Sequence, residues 1–155
     1  MAPDQLTPHF SLREMVRTNH RTIDNSPGPD IVEHLRILCE SFLEPLRGHF
    51  GPLWVTSGYR SHELNVAIGG AWDSAHLYGC AADLVPIEPG VRLDDMVAWV
   101  VFESKLPFDQ VIREHASTDE WLHLGMLRPQ HNNGVPRQQA LVMRDGEYFP
   151  WRVGA

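Results

Sequence analysis

A single acidic residue inside an apolar strand is the feature that most restricts how this chain can fold. Asp83 lies in the run from Ala81 to Ile87, whose other residues are apolar and predict a buried strand. An unpaired carboxylate is costly to bury, so Asp83 requires a cation or a set of hydrogen-bond donors. For an isolated aspartate a structural ion pair is the ordinary explanation, and only the surrounding residues can favour another one.

A histidine precedes this aspartate at a suggestive distance. His76 and Asp83 belong to the segment S-A-H-L-Y-G-C-A-A-D, which spans 74–83. Gly79 lies between them and permits a tight turn of the backbone. Each histidine of a chain is more often a surface or core residue than a metal ligand, and the spacing alone is weak evidence. The segment therefore needs a further ligand elsewhere.

The fragment E-W-L-H, at 120–123, supplies a second histidine. Leu122 and Leu124 alternate around His123 and predict a half-buried strand, on which His123 faces away from the two leucines. Two histidines and one carboxylate can hold a zinc ion and leave its fourth position to water, as catalytic zinc sites require. We therefore expect His76, Asp83 and His123 to share one metal.

The acid of the same fragment, Glu120, is the first candidate for a general base. Two residues separate it from His123, so on a regular strand the two side chains would face opposite sides. We therefore predict a bulge or turn near Trp121 that brings both to the metal. Asp119 and Glu114 are the other candidates, and Glu114 is also placed to orient a metal-binding histidine.

Three fragments in one order resemble a known family. S-G-Y-R-S at 57–61, S-A-H-L-Y-G-C-A-A-D at 74–83 and E-W-L-H at 120–123 are similar to the motifs of the zinc-dependent D-alanyl-D-alanine carboxypeptidases. Their relatives include phage L-alanyl-D-glutamate endopeptidases, bacterial D,D-dipeptidases and, in fold, the hedgehog signalling domain. The resemblance runs from about Phe10 to His123.

The resemblance implies a set of roles. It makes His76, Asp83 and His123 the ligands of one zinc ion and Glu120 the general base that acts on the metal-bound water. It also implies that Arg60 contacts the substrate and the developing oxyanion. Arg60 offers a fixed fork of donors that suits either an oxyanion or a carboxylate. Ser74 can hydrogen-bond the substrate or cap its own loop.

The secondary-structure pattern predicts one α+β domain over residues 1–155. N-terminal helices pack on a mainly antiparallel sheet, and the resemblance implies a hedgehog/DD-peptidase-like fold. The motif-bearing core spans about 10–127, and a C-terminal hairpin spans about 139–151. A capping box at Ser11 and Glu14 predicts a short first helix, and helical spacing from Asp30 predicts a longer helix that Pro45 kinks or tightens before Gly48 ends it. Strands are predicted at 108–113 and 121–126 with a polar loop between them, and Asp145-Gly146 predicts the turn of the hairpin.

Composition bears on partners and location. The net charge is −7 without basic blocks, which argues against a nucleic-acid partner. Apolar stretches fall short of a membrane span, and the first residues lack the pattern of a signal peptide. We expect a monomer made in the cytoplasm. It is typical of a phage or prophage lysis enzyme or tail component that acts on the cell wall, although a bacterial cytosolic dipeptidase would look the same.

The leading hypothesis is a zinc peptidase acting on a peptidoglycan stem peptide or a D-alanine-terminated peptide, at a D-amino-acid linkage. Carboxypeptidase and endopeptidase action both remain open, and loops 69–73 and 128–139 should decide between them. The main alternative is a non-catalytic wall-binding or phage structural module that keeps the fold and the zinc. A purely structural zinc site is a third, weaker alternative.

Overall fold

Two short strands and three helical segments form the N-terminal part of the chain. In the computed structural model, which describes residues 3–154, strands β1 and β2 pair as a small antiparallel sheet. Their bounds are Gln5–Thr7 (β1) and Phe10–Ser11 (β2). Helix α1, Leu12–Val16, starts at the predicted capping box, in which the Ser11 hydroxyl accepts from the Glu14 N–H and the Glu14 carboxylate accepts from the Ser11 N–H. This prediction is confirmed.

The long predicted helix is interrupted where Pro45 affects its hydrogen bonding. Helix α2, Pro29–Leu38, continues through a π-helical turn, Cys39–Leu43, into helix α3, Glu44–Phe50. Because Pro45 has no N–H, the normal helical bond to the residue four positions earlier cannot form, and the wider turn ends two residues before it. Two further helices are His62–Ala67 (α4) and Leu93–Phe102 (α5).

A six-stranded mixed sheet forms the rest of the domain. In spatial order its strands are Leu53–Ser57 (β3), Ala81–Pro86 (β4), Asp119–Gly125 (β6), Gln110–Ala116 (β5), Gln139–Arg144 (β7) and Glu147–Pro150 (β8). Strands β5 and β7 run parallel and every other neighbouring pair is antiparallel. The α+β class is thus confirmed, with one parallel pair that the sequence did not predict.

The two faces of the sheet have different environments. On one face, Leu84, Leu122 and Leu124 are fully buried in a core that also contains Leu35 and Leu38 of helix α2. On the other face lie the residues that alternate with them, including Asp83 and His123. The sheet therefore separates an apolar core from a polar surface, and the candidate site lies on the polar side.

The C-terminal hairpin belongs to the same sheet. Strands β7 and β8 turn at Asp145-Gly146, where both residues have positive φ values of 49° and 88°, as the predicted turn requires. Because β7 pairs with β5, the hairpin extends the sheet. Residues 1, 2 and 155 of the predicted domain lie outside the described residues. Among residues 3–154, no helix combines the length and apolar character needed to cross a membrane.

Candidate metal centre

Neighbouring strands place Asp83 beside His123. The two residues are direct partners in the antiparallel pairing of β4 with β6, and paired residues face the same side of a sheet. The Oδ1 atom of Asp83 lies 3.1 Å from Nδ1 of His123. Both side chains are buried. Strand pairing therefore brings together two residues that are 40 positions apart.

A short turn places His76 against the same carboxylate. His76 lies in a 3₁₀ turn, Ala75–Tyr78, which the Ser74 hydroxyl caps and Gly79 ends at a φ of 68°. The Nδ1 atom of His76 lies 2.6 Å from the carbonyl oxygen of Gly58. Because a carbonyl oxygen only accepts, Nδ1 carries the hydrogen and donates it to Gly58. Its Nε2 atom then carries a lone pair and lies 3.4 Å from Oδ1 of Asp83.

These three residues fit a zinc ion. Their ligand atoms all lie within 4.8 Å of one another. Ligands about 2.0–2.1 Å from a tetrahedral zinc lie roughly 3.3 Å apart, close to the 3.1 and 3.4 Å separations of the two histidine nitrogens from Asp83. The buried Nε2 of His76 has no hydrogen-bond partner among the described residues. A metal would satisfy that orphaned atom.

The protonation states also favour a metal. Burial lowers the pKa of His76, which keeps the imidazole neutral. Burial alone raises the pKa of Asp83, but attraction to the adjacent His76 and His123 rings in their charged forms outweighs it and holds that pKa well below its usual range. Neutral imidazole and ionised carboxylate are the forms that ligate metals.

Arg60 and Ser74, both named from the sequence, lie next to this cluster and line the same cavity. The Nη2 atom of Arg60 lies 3.4 Å from Oδ2 of Asp83, and the other guanidinium nitrogens donate to Ser57 and Asn65 at 3.3 Å. The Ser74 hydroxyl accepts from the His76 N–H at 3.2 Å. The capping role considered for Ser74 is thus present.

Glu120 does not join the cluster. Strands β5 and β6 pair without a register shift, from the pair of Gln110 with Gly125 to the pair of Ala116 with Asp119. The prediction of a bulge near Trp121 is therefore wrong. Glu120 consequently faces the side opposite His123. It is exposed, and its Oε1 atom lies 3.1 Å from Nη2 of Arg113, which also binds Asp94 of helix α5 at 2.7 Å. On this regular strand, residues separated by two others face opposite sides of the sheet, as Glu120 and His123 do.

Glu114, the alternative considered from the sequence, lies on the metal face instead. It is two positions from Ile112, the direct partner of His123, and therefore shares their side of the sheet. It lines the cavity with the three ligands. Burial and the Asp83 charge raise its pKa to about 7. A carboxyl group with a pKa near neutrality beside a metal site suits proton transfer.

The cavity has a volume of about 490 Å³ and is open to solvent. The loop at 69–73 forms part of its wall, as expected from the sequence. Arg128, Arg137 and Tyr148 also line it, and sequence reasoning did not identify them. They lie in the loop at 128–139, which we expected to shape the cleft, and in the C-terminal hairpin, but no motif marked these three residues themselves.

The fold and the site together define a class of protein. One buried pair of histidines with an aspartate lies in an open cavity, beside an arginine and a glutamate of raised pKa. The open cavity leaves room for a substrate beside the candidate ligands, whereas a structural zinc site is closed by four protein ligands.

Comparison with known proteins identifies the family. The family model described as Peptidase M15 matches residues 8–124, which is most of the chain. The chain therefore belongs to the M15 peptidases, the family of zinc D-alanyl-D-alanine carboxypeptidase-like metallopeptidases. The matched region contains the three metal-ligand candidates, and it also contains Arg60, Glu114 and Glu120. A comparison with curated proteins gives no match.

Proposed function

We propose that this protein is a zinc-dependent peptidase that hydrolyses a peptide bond at a D-amino-acid linkage in bacterial peptidoglycan. The observation that carries the proposal is the convergence of His76, Asp83 and His123 in an open cavity of an M15 family member. The proposed substrate is a stem peptide or a D-alanine-terminated peptide. The remaining residues of the cavity supply the chemistry that such a hydrolysis needs.

The three buried residues would hold the ion. His76 presents Nε2, because its Nδ1 is engaged by the Gly58 carbonyl, while His123 presents Nδ1 toward the Asp83 carboxylate. When bound, zinc polarises a carbonyl oxygen and lowers the pKa of water at its open position toward roughly 7.

Glu114 is the general base in this proposal. It lies on the metal face of the sheet, whereas Glu120 lies on the opposite face and is engaged by Arg113. The ionised Glu114 carboxylate accepts a proton from the attacking water and then, as the acid, returns it to the departing amine. The family resemblance had favoured Glu120, and paired variants at the two positions separate these assignments.

Arg60 stabilises negative charge in the proposed reaction. Its guanidinium contacts Asp83 and lines the cavity, so it lies beside the place where the scissile carbonyl would sit. A guanidinium that stays protonated can donate to the oxygen on which charge develops. Ser74 orients the His76 turn and offers its hydroxyl to the same cavity.

Digestion of peptidoglycan tests the proposal. Purified peptidoglycan and a pentapeptide ending in D-alanyl-D-alanine would be incubated with zinc-loaded, chelated and zinc-restored protein, and the products identified by mass spectrometry. We expect new amines only with zinc present. Loss of the terminal D-alanine would identify a carboxypeptidase, and cleavage within the stem would identify an endopeptidase. Zinc-dependent binding without any new amine would contradict the proposal and favour the non-catalytic wall-binding alternative.

A further inference from the structure

Three arginines line the cavity, and two of them have close acceptors on the protein. Arg60 has an acceptor for each of its three nitrogens, as described above. Arg137 forms a two-pronged ion pair with the buried Asp109, at 2.7 Å from Nη2 and 3.1 Å from Nε to Oδ2. Neither of these arginines has a guanidinium free of a close partner.

The third arginine, Arg128, is less compensated. Only 8% of it is exposed, yet its Nε has no hydrogen-bond partner among the described residues. Its Nη1 donates to the main-chain carbonyl of Asp73 and its Nη2 lies 2.7 Å from the His131 ring. Within 4 Å, the one carboxylate that the described residues offer it is that of Asp73, at 3.4 Å, and this side chain is 44% exposed. A buried cation with so weak a counterion is costly unless something else compensates its charge.

The position of Arg128 connects this charge to the metal centre. It follows strand β6, which carries His123, and it contacts Asp73, which precedes the His76 turn by one residue, Ser74. Arg128 thus joins the ends of the two segments that supply the histidine ligands. It lies beyond the residues 8–124 that match the family. None of the three motif fragments that resemble the family contains it.

We propose that Arg128 is an anion-binding subsite that takes a carboxylate group of the peptide substrate. This inference rests on the proposed function, since it names what the peptide must carry besides the scissile bond. A guanidinium matches the planar geometry of a carboxylate and forms charge-assisted hydrogen bonds with it. Stem peptides carry two such groups near a D-linkage, the C-terminal carboxylate and the α-carboxylate of a γ-linked D-glutamate.

Peptides that lack one carboxylate at a time test the subsite. The probes are the pentapeptide L-Ala-γ-D-Glu-L-Lys-D-Ala-D-Ala, its C-terminal amide, and its D-glutamyl α-amide. We expect one of the two amides to reduce kcat/KM by roughly ten- to hundredfold with the wild-type protein, which identifies the carboxylate that is bound. Arg128→Gln should reduce kcat/KM for the free acid by a similar factor and leave that for the sensitive amide within about twofold.

A purely structural role would give a different pattern. If Arg128 only tethers the loop that contains Asp73, Arg128→Gln should impair all three peptides equally, and this result would overturn the proposal, as would equal turnover of all three by the wild type. Asp73→Asn is the matched control, since it keeps the main-chain contact and removes the competing carboxylate. We expect its KM for the free acid to be at or below the wild-type value, and a clear increase would contradict the subsite.

Two further measurements keep the test decisive. Should Arg128→Gln fail to fold, Arg128→Lys keeps the charge but loses the fork, and it should weaken turnover of the free acid severalfold without changing that of the sensitive amide. Should no peptide be hydrolysed, which would contradict the proposed function, calorimetric binding of the same peptides to zinc-loaded protein tests the subsite separately. Binding that is indifferent to both amides, or no binding at all, would overturn it.

Discussion

The Nδ1 atom of His76 lies 2.6 Å from the carbonyl oxygen of Gly58, a residue 18 positions earlier in the chain. This contact fixes the orientation of the ring and leaves Nε2 directed toward Asp83. Gly58 itself lies so close to helix α1 that a Cβ atom at this position would be only 2.3 Å from the carbonyl oxygen of Met15. The candidate metal centre therefore depends on a backbone contact outside the three candidate ligands.

Gly58→Ala should destabilise the protein and weaken zinc binding. The added methyl group cannot fit against the Met15 carbonyl without moving the backbone, which costs about 1–3 kcal/mol and displaces the acceptor of His76. Urea unfolding and zinc titration would measure the two effects. Gly48→Ala is the control, since a Cβ there meets nothing within 4 Å; because Gly48 lies in helix α3, this variant should keep zinc binding and be at least as stable as the wild type. Equal behaviour of the two variants would refute the role of Gly58.

Zinc should stabilise the wild-type protein and not a ligand variant. A ligand that binds only the folded state at 100 times its Kd adds about 2.7 kcal/mol to the free energy of unfolding. Chelation should therefore lower the Tm of the wild type, and zinc should restore it. His123→Ala should show neither response, while His62→Ala, which changes an exposed histidine of helix α4, should respond like the wild type. A full zinc response in His123→Ala would exclude this residue as a ligand.

The metal-free protein should lose stability relative to Glu114→Gln as the pH rises. The folded pKa of Glu114, about 7, lies above its ordinary value of 4.5, so the folded state favours the neutral acid. That contribution is complete below the unfolded pKa and is lost as the pH rises through the folded one. Between pH 5 and 8 the chelated wild type should lose roughly 2–3 kcal/mol relative to the variant. Parallel stability curves would show that Glu114 is not perturbed.

Arg60→Lys should reduce turnover while zinc stays bound. A lysine cannot reproduce the three contacts of the guanidinium to Ser57, Asn65 and Asp83, nor its donation to a developing oxyanion. We expect kcat/KM to fall by roughly a hundredfold. Arg144→Lys, at an exposed position of strand β7, is the control and should have no effect. Unchanged kcat/KM in Arg60→Lys would remove Arg60 from the mechanism.

The sequence was sufficient to predict the three ligand candidates that the structure brings together. A carboxylate in an apolar strand and a histidine between two leucines each carry a local signal, and the structure places Asp83 and His123 as direct partners. The capping box at Ser11 and the turn at Asp145-Gly146 were equally local and are confirmed. Such features depend on a few adjacent residues, which is why the pattern alone suffices.

The position of Glu114 depended on strand register, which the local pattern did not reveal. We predicted strands at 108–113 and 121–126 with a polar loop between them, whereas β5 and β6 extend to Ala116 and Asp119 and leave only two residues in the turn. That register places Glu114 opposite Trp121 on the metal face. The parallel pairing of β5 with β7 and the burial of Arg128 likewise arise from contacts between distant segments.

The turnover of Glu114→Gln compared with Glu120→Gln tests the central claim most directly. Both variants remove one carboxylate charge and keep the shape of the side chain, and zinc content would be measured alongside kcat. We predict that Glu114→Gln binds zinc but loses about 10²–10⁴-fold in kcat, as expected for a missing general base. Glu120→Gln should lose only its surface ion pair with Arg113, worth about 0–1 kcal/mol of stability, and keep its kcat. Full activity in Glu114→Gln together with an inactive, zinc-loaded Glu120→Gln would contradict the account.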